Sequence, residues 1–435
     1  MKIQKVDVLV IGGGGAGMQA ALAAKDRGAD VLLVSKTPVG KSTCTSLSGG
    51  MFAVATEGMS KEAHLENTLQ AGKGLNAREL AQLLVAEAPG SLQELTRLGL
   101  DGQWQSDGFY CLGNPPAWGA PFAELLANTI HGRGISVLPW VIVGELVVQE
   151  GRVLGAVGFD FRTGKAVAIQ AKAVILANGG GGALYQRNDN PVRITGDGYA
   201  LAFHAGCHLR DMECVQFLPS GLAEPGKPAL LIAPTLCDYG KVVNSAGEDI
   251  LGKYQITEKP VAVRCRDSFS QAIFQEESEG RDVFLDLRSL SEADWPKNHL
   301  AVSQRGLLVK NLFCGQKPLR ISPMCHHFMG GVVIDPDGHT EVPGLFAAGE
   351  VAGGVHGANR MGGNALAEVL VFGYRAGISA ARWARQQGSS PEAENRLAAG
   401  FSDFQKKIQG SKNVLPPRAL RKKISGILWN QGGIM

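Results

Sequence analysis

Short apolar runs separated by glycine set the rhythm of this chain. Val6-Asp-Val-Leu-Val-Ile11 is almost wholly apolar and runs straight into glycines, the pattern of a strand buried on both faces in a parallel sheet. A helix is predicted over 18–27 and a second buried strand over 31–35. Residues 62–71 and 77–98 carry apolar side chains at helical spacing and predict two amphipathic helices. Strand then follows strand, at 135–138, 141–149, 155–161, 166–170 and 173–176, with turns at Glu150-Gly151 and Thr163-Gly164. Thr195-Gly-Asp-Gly198 opens a further helix. Near 222–322 this pattern stops: prolines recur at Pro225, Pro228, Pro234 and Pro260, and a helix over 268–279 and a short strand over 283–287 stand out. The first pattern then returns with a strand at 332–334, a turn at 335–338 and a glycine-rich strand–turn–helix block whose helix runs over 364–386. Helices over 391–408 and 417–430 end the chain.

Strands alternating with helices predict an α/β fold, a parallel sheet with an added β-meander, interrupted by an α+β unit. The predicted division is 1–221 and 323–388 for the main unit, 222–322 for the insertion and 389–435 for C-terminal helices. The insertion reads as a lid with hinges near Leu222 and Ser322, which would exclude water from a site beneath it.

Composition narrows the function. With 45% apolar and 19% charged residues in 435, the chain is an ordinary globular protein long enough for more than one core. A net charge of +3 argues against a nucleic-acid footprint, which needs clustered basic residues. The eight cysteines include no C-x-x-C, which argues against iron–sulfur, zinc or c-type haem sites in this chain, and no metal ligand set is predicted. Reduced thiols in the cytoplasm are expected. Met1-Lys-Ile-Gln-Lys5 leads directly into a strand, unlike a signal peptide, and no apolar run reaches membrane-spanning length, so any membrane association would come through a partner.

The candidate chemistry lies where glycines interrupt the apolar runs. Gly12, Gly13, Gly14, Gly15, Ala16 and Gly17 give G-x-G-x-x-G between a strand and a helix, a turn that brings backbone N–H groups and a helix N-terminus against a pyrophosphate. The acid that usually follows the second strand is replaced by Ser35 and Lys36. The loop 41–50 offers small polar residues, Ser42, Thr43 and Ser48, and then Gly49 and Gly50, to the polar edge of a flat ring. Ala177 and Gly179 begin a second glycine-rich backbone approach. Asp197 either caps its helix or holds a ribose hydroxyl. The block from Leu345 to Leu366 places Glu350, His356 and Arg360 in a glycine-rich turn before the helix that opens with Asn364, Ala365 and Leu366, where a flavin and a small anion would meet. Lone His64 and His131 read as solvated or capping groups, and the basic tail residues Lys406, Lys407, Arg421, Lys422 and Lys423 as a solvated face.

Five stretches together resemble the flavoprotein subunit of fumarate reductases and succinate dehydrogenases, a family with L-aspartate oxidase as a relative. They are 12–17, 42–50, Thr195–Gly198 with Asp211-Met-Glu-Cys-Val-Gln-Phe217, Arg266-Asp-Ser-Phe-Ser-Gln-Ala272, and 326–373, where His-Gly-Ala-Asn-Arg and Gly-Gly-Asn-Ala-Leu are highly specific. The resemblance implies a Rossmann-like FAD-binding domain interrupted by a capping domain, with the family's C-terminal helical domain largely absent. FAD would contact 12–17, 36–50, Asp197, Glu350, Ala365 and Leu366, with Glu350 on flavin-side hydroxyls. Arg360 and His326 would hold one substrate carboxylate, and Arg266 would move the proton on the carbon next to the one that exchanges hydride with flavin N5. His327 takes the place of an aromatic wall residue.

The departures shape the expected activity. Members with covalent FAD have His where this chain has Thr43, so FAD is expected to be non-covalent. The dicarboxylate reductases have His-Pro-Thr-Gly where this chain has Leu218-Pro-Ser-Gly221, and polar groups where Ile232, Ala233 and Leu236 align. The expectation is therefore a FAD-dependent oxidoreductase acting on a C–C bond of a small carboxylate-like substrate other than fumarate. The alternative is a flavin electron-transfer subunit whose pocket is vestigial. Either needs an external donor, an iron–sulfur or other electron-transfer subunit.

Overall fold

The computed structural model describes residues 3–113, 119–388, 391–409 and 416–434. Its central strand, Ile3–Ile11, carries Val8, Leu9, Val10 and Ile11 into the core at no more than 4% exposure. It pairs in parallel with Val31–Ser35 on one side and Ala166–Leu176 on the other, and Ser136–Pro139 extends the sheet in parallel beyond Val31–Ser35. Arg152–Asp160 and Val141–Gln149 add an antiparallel meander, while Leu345–Ala347 pairs in parallel with Ala166–Leu176, completing seven strands. The sequence suggested two strands across 166–176, but one continuous strand runs there. It changes its outer neighbour midway. Ala166–Gln170 pair with the meander, and Val174–Leu176 with Leu345–Ala347.

Helix Gly15–Asp26 and helix Asn364–Arg385 pack together over this sheet. They meet closely because small residues face each other. A Cβ on Gly377 would fall 2.3 Å from the Ala20 carbonyl oxygen, and one on Gly373 would fall 2.8 Å from that of Ala16. The helices Lys61–Ala71 and Arg78–Arg97 form within a residue of their predicted bounds. The elements without a sequence expectation include the strands Gly102–Gln105 and Gly108–Cys111, which form a small sheet with Met51–Phe52, and the helix Ala120–Gly132.

A second hydrophobic core gathers side chains from Leu222 to Ile321 around Phe269, Ile273, Leu285 and Leu308. Its sheet runs Val215–Leu222, Leu319–Phe328, Val283–Asp286, Lys241–Asn244, all antiparallel. The ten-residue strand Leu319–Phe328 escaped the sequence reading because Pro323, His326 and His327 interrupt its apolar pattern. It belongs to both cores: Leu319 and Ile321 pack in the second, Cys325 and Phe328 in the first. The expected hinge positions therefore lie inside a paired ribbon, with Leu222 opposite Ile321 and Gly221 opposite Ser322. Register shifts after Gln216 and Leu218 break the ladder beside the site, as bulges commonly do.

Helix Pro391–Gln409 lays Leu397 and Phe404 on Val147, Val157 and Ala168 of the meander side. Helix Pro417–Ile427 leads to Trp429, whose ring meets Phe274 at 5.6 Å and Phe217 at 6.4 Å within the first core. All eight cysteines are free thiols. Among the described residues no helix is long and apolar enough to cross a membrane.

Candidate functional site

The first glycine turn is shaped by steric necessity. Gly12 has φ +127°, and a Cβ there would lie 2.0 Å from the Ala177 carbonyl oxygen. A Cβ on Gly17 would lie 1.9 Å from the Gly12 carbonyl oxygen. Gly17 therefore packs the helix against the turn and does not line the cavity, which corrects its assignment as a cofactor contact. Gly14, the helix N-cap, faces open space, with only Thr45 Oγ1 near its missing Cβ at 3.7 Å. Thr45 Oγ1 accepts from the Gly15 N–H at 3.0 Å and fixes the turn to the neighbouring loop. That loop is more ordered than its composition suggested. Ser42 takes φ +52°, and Thr43 caps the single turn Cys44–Leu47 through a reciprocal pair of bonds with Ser46.

The acid missing after Val31–Ser35 comes from elsewhere in the chain. Lys36 forms an ion pair with Asp197, and its ammonium donates to the Arg193 carbonyl at 3.0 Å and to Thr195 Oγ1 at 3.2 Å. The N-cap of helix Asp197–Ala205 is Gly196, so of the two readings of Asp197 the capping one fails. Its carboxylate lies on the cavity wall beside Lys36.

At the other end, the turn after Leu345–Ala347 brings Glu350 under Gly180, where any Cβ would strike the carboxylate 2.2 Å away. Glu350 Oε1 accepts from the Phe328 N–H at 3.0 Å. Burial pushes its pKa up to about 7, against the pull of that bond and of Arg360. Arg360 is buried; its Nη2 donates to Gln216 Oε1 at 2.9 Å and its Nη1 to the Met361 carbonyl at 3.3 Å, while Nε has no partner. Burial, and then the nearby Arg266, lower its pKa to about 10. Arg266 opens helix Arg266–Ser278 and reaches across, its Nη1 donating to the Arg360 carbonyl at 3.4 Å. Burial lowers its proton affinity also, although Asp267 opposes this. His326 Nδ1 bonds Asp189 Oδ2 at 2.7 Å.

These groups share one cavity of about 450 Å³, within the range of pockets that hold small ligands. Of the predicted site residues, Gly12 to Ala16, Ser35, Lys36, Ser42, Thr43, Ser48, Gly49, Gly50, Ala177, Gly179, Asp197, Arg266, His326, Glu350, Arg360, Ala365 and Leu366 line it. Asn364 does not. It is fully buried, with its amide oxygen 2.8 Å from His64 Nε2 and its nitrogen donating to Thr68 Oγ1 at 2.9 Å. That network also corrects His64, which is buried and bonded rather than solvated. His356 lies behind the wall, bonded to Glu368 Oε2 at 3.0 Å, while His327 and Glu368 reach the cavity.

Sequence reasoning missed the residues that orient the others. Gln216 clamps Arg360 through its side chain and backbone, and Asp189 sets His326. Asn359 ties Asp267 of the second unit to the turn at 2.9 and 3.1 Å. Gln216 and Asn359 lie inside recognisable motifs; nothing local marks Asp189. Of the expected apolar wall, Leu218 faces the cavity, but the other positions do not. Ile232, Ala233 and Leu236 are buried in the second core, and the cavity is faced by Leu218, Leu231, Pro234 and Leu300.

The arrangement fits a dinucleotide with a flat redox ring. Open space faces Gly14 and Gly362, and the buried atoms Asn178 Oδ1, His327 Nε2 and Arg360 Nε lack partners that such a ring and its chain could supply. Residues 7–366 match the FAD binding domain family. The chain is 34% identical over 463 aligned positions to a subunit of the fumarate reductase (CoM/CoB) of Methanothermobacter marburgensis, covering 100% of this chain and 82% of that relative. It is 32% identical to the 8-methylmenaquinol:fumarate reductase flavoprotein subunit of Wolinella succinogenes, covering 99% and 75%. Among solved structures, a variant of FrdA from E. coli quinol fumarate reductase superposes with TM-score 0.88 at 29% identity, covering 100% of this chain and 80% of that one. Sdh1 of Mycobacterium smegmatis superposes with TM-score 0.85 at 29% identity, covering 100% and 78%. The glycine cradle and the basic cavity end thus belong to a FAD-dependent oxidoreductase acting on CH–CH groups, a member of the fumarate reductase/succinate dehydrogenase flavoprotein family.

Proposed function

We propose that this enzyme exchanges hydride at the C–C bond of a substrate with one carboxylate and an apolar far end, such as a 2-enoate, in preference to fumarate. The supporting observation is one cavity that joins Arg360, Arg266 and His326 to a wall of Leu218, Leu231, Pro234 and Leu300. FAD, when bound, supplies the two-electron hydride chemistry.

Each side chain has a task set by its surroundings. The Arg360 fork grips the carboxylate, because Gln216 holds one arm and the buried Nε still lacks a partner. His326 is oriented by Asp189 on Nδ1, which leaves Nε2 to bind the same carboxylate. Arg266 carries the proton. A guanidinium yields a proton only where its charged form is disfavoured, and burial does that to Arg266 here, against the pull of Asp267. Leu218 and Leu231 have no donor for a second carboxylate, and leaving a carboxylate buried and unpaired costs several kcal/mol, on the order of 3–5.

The Thr43 hydroxyl is engaged in capping Cys44–Leu47, consistent with FAD held without a covalent bond at this position. Acid precipitation should leave the flavin in the supernatant. Electrons come from a separate iron–sulfur or other electron-transfer protein, which could also bring the enzyme to a membrane.

The test is anaerobic reduction of the enzyme followed by mixing with acceptors, with flavin absorbance recorded. Short 2-enoates should reoxidise it faster than fumarate does, and the reverse order would overturn the reading. If no enoate or dicarboxylate responds while an oxidised iron–sulfur protein does, the chain is an electron carrier, a role consistent with its missing dicarboxylate groups.

A further inference from the structure

Four buried titratable side chains form a line at the redox end of the cavity, and the hydride chemistry above leaves their protons unused. Glu350 Oε1 lies 3.6 Å from His327 Nδ1. The His327 and His356 rings are 5.5 Å apart, and His356 Nε2 bonds Glu368 Oε2 at 3.0 Å. His327, His356 and Glu368 are at most 6% exposed. His327 Nε2 and His356 Nδ1 have no hydrogen-bond partner. Donor atoms of His327, His356 and Glu368 fall within 4.8 Å of one another, but the guanidinium of Arg360 beside His327 opposes a bound cation.

We propose that His327 and Glu350 share a proton site on the wall of the FAD cavity, one that takes up a proton from solvent when two electrons reach the cofactor. The electrons come from an external donor, which is oxidised. This proton comes from water, in addition to the one the hydride itself carries, and stays on the imidazole or the carboxylate. It leaves when the electrons pass to the substrate. This rests on the orientation used above, with the redox ring at the Arg360 end.

The physical reason is charge. Burial holds the Glu350 carboxyl near pH 7. Burial first, and then Arg360, His356 and His326, keep the His327 imidazole neutral. Near neutrality the two therefore have room for one more proton. The other titratable groups facing them are Glu368, Asp189, the Cys44 thiol and Tyr199, whose hydroxyl donates to the Glu350 carbonyl at 2.9 Å. Burial raises the Cys44 and Tyr199 pKa values well above their ordinary values, so neither titrates near pH 7. Negative charge arriving in a dry cavity raises the proton affinity of every nearby base, and the half-filled pair responds first.

The experiment is a spectroelectrochemical titration of the FAD-loaded protein from about pH 6 to 8, with proton uptake on dithionite reduction read by an indicator dye in weak buffer. Each proton taken up per two electrons steepens the fall of midpoint potential by about 30 mV per pH unit. His327→Phe and Glu350→Gln should each flatten the slope by about that amount and remove up to one proton of uptake. His327→Gln, which preserves polarity, guards against misfolding and should behave like His327→Phe. A slope and uptake unchanged in all three would overturn the proposal. If the flavin spectrum of His327→Phe shifts while the slope holds, the proton role alone is wrong. If the spectrum also holds, the assumed ring orientation is wrong with it.

Discussion

The two walls of the cavity obey different rules. The basic wall is tied down by polar bonds from several parts of the chain. Arg360 is held by Gln216, His326 by Asp189, and Asn359 by Asp267. Arg360 and Gln216 are both buried, so changing either strands a buried polar partner. The apolar wall is held from behind. Gln304 bonds the backbone at Leu231 and Ala233, and Ser220 bonds Ile232, so segment 231–234 keeps its path whatever its cavity-facing side chains are. Such an arrangement lets specificity change on one wall while the chemistry stays fixed on the other.

Arg360→Met should break the comparison most severely. It removes the fork and leaves Gln216 Oε1 without its donor. Truncating one member of a buried charged set costs about 3–5 kcal/mol, so enoate reoxidation of the reduced enzyme should slow by about two to four orders of magnitude. A stopped-flow measurement checks this, with FAD content as the control for folding. Leu218→His tests the other wall. A charge-assisted bond is worth about 1.5–3 kcal/mol, so the ratio of fumarate to enoate rates should rise about 10- to 150-fold. No change in that ratio would show that Leu218 does not face the far end of the substrate.

The apolar wall depends on the second core, and Glu276 supports that core. It is wholly buried and meets Arg281, Lys253, Asn244 and Tyr254. Burial alone would raise its pKa, but the bonds from Arg281 and the others outweigh it, and the folded value lies well below the ordinary one. Its stabilisation is therefore full above the unfolded pKa, roughly 4.3, and is lost as pH falls through the folded value. Glu276→Gln should cost about 1.5–3 kcal/mol at neutral pH and flatten the acid dependence. Thermal melts at pH 7 and pH 4 of both proteins would show a smaller pH difference for the variant.

How much of this was legible in the sequence differs between the walls. Gly12 and Arg360 stand in dense local patterns, so their places could be read directly. Asp197 was visible as a candidate, but its pairing with Lys36 joins residues 161 positions apart by subtraction of their numbers and has no local signal. The apolar wall was anticipated in character and misplaced in detail. Ile232 and Leu231 are adjacent, and which one faces the cavity depends on how Ser220 and Gln304 hold the backbone. Gly17 and Asn364 sit in ligand-binding motifs without lining the cavity, because motif membership does not distinguish a residue that touches a cofactor from one that packs the turn behind it.

Asp189→Asn gives the smallest effect and the finest test of the basic wall. Asparagine keeps the shape of the side chain but carries no charge, and its amide oxygen can still accept from His326 Nδ1. If His326 acts as an oriented hydrogen-bond donor, the loss should be about 1 kcal/mol, roughly a fivefold rise in KM for the enoate with little change in kcat. Steady-state enoate kinetics check this, because a fall in kcat with KM unchanged would show that His326 does not act by binding the carboxylate.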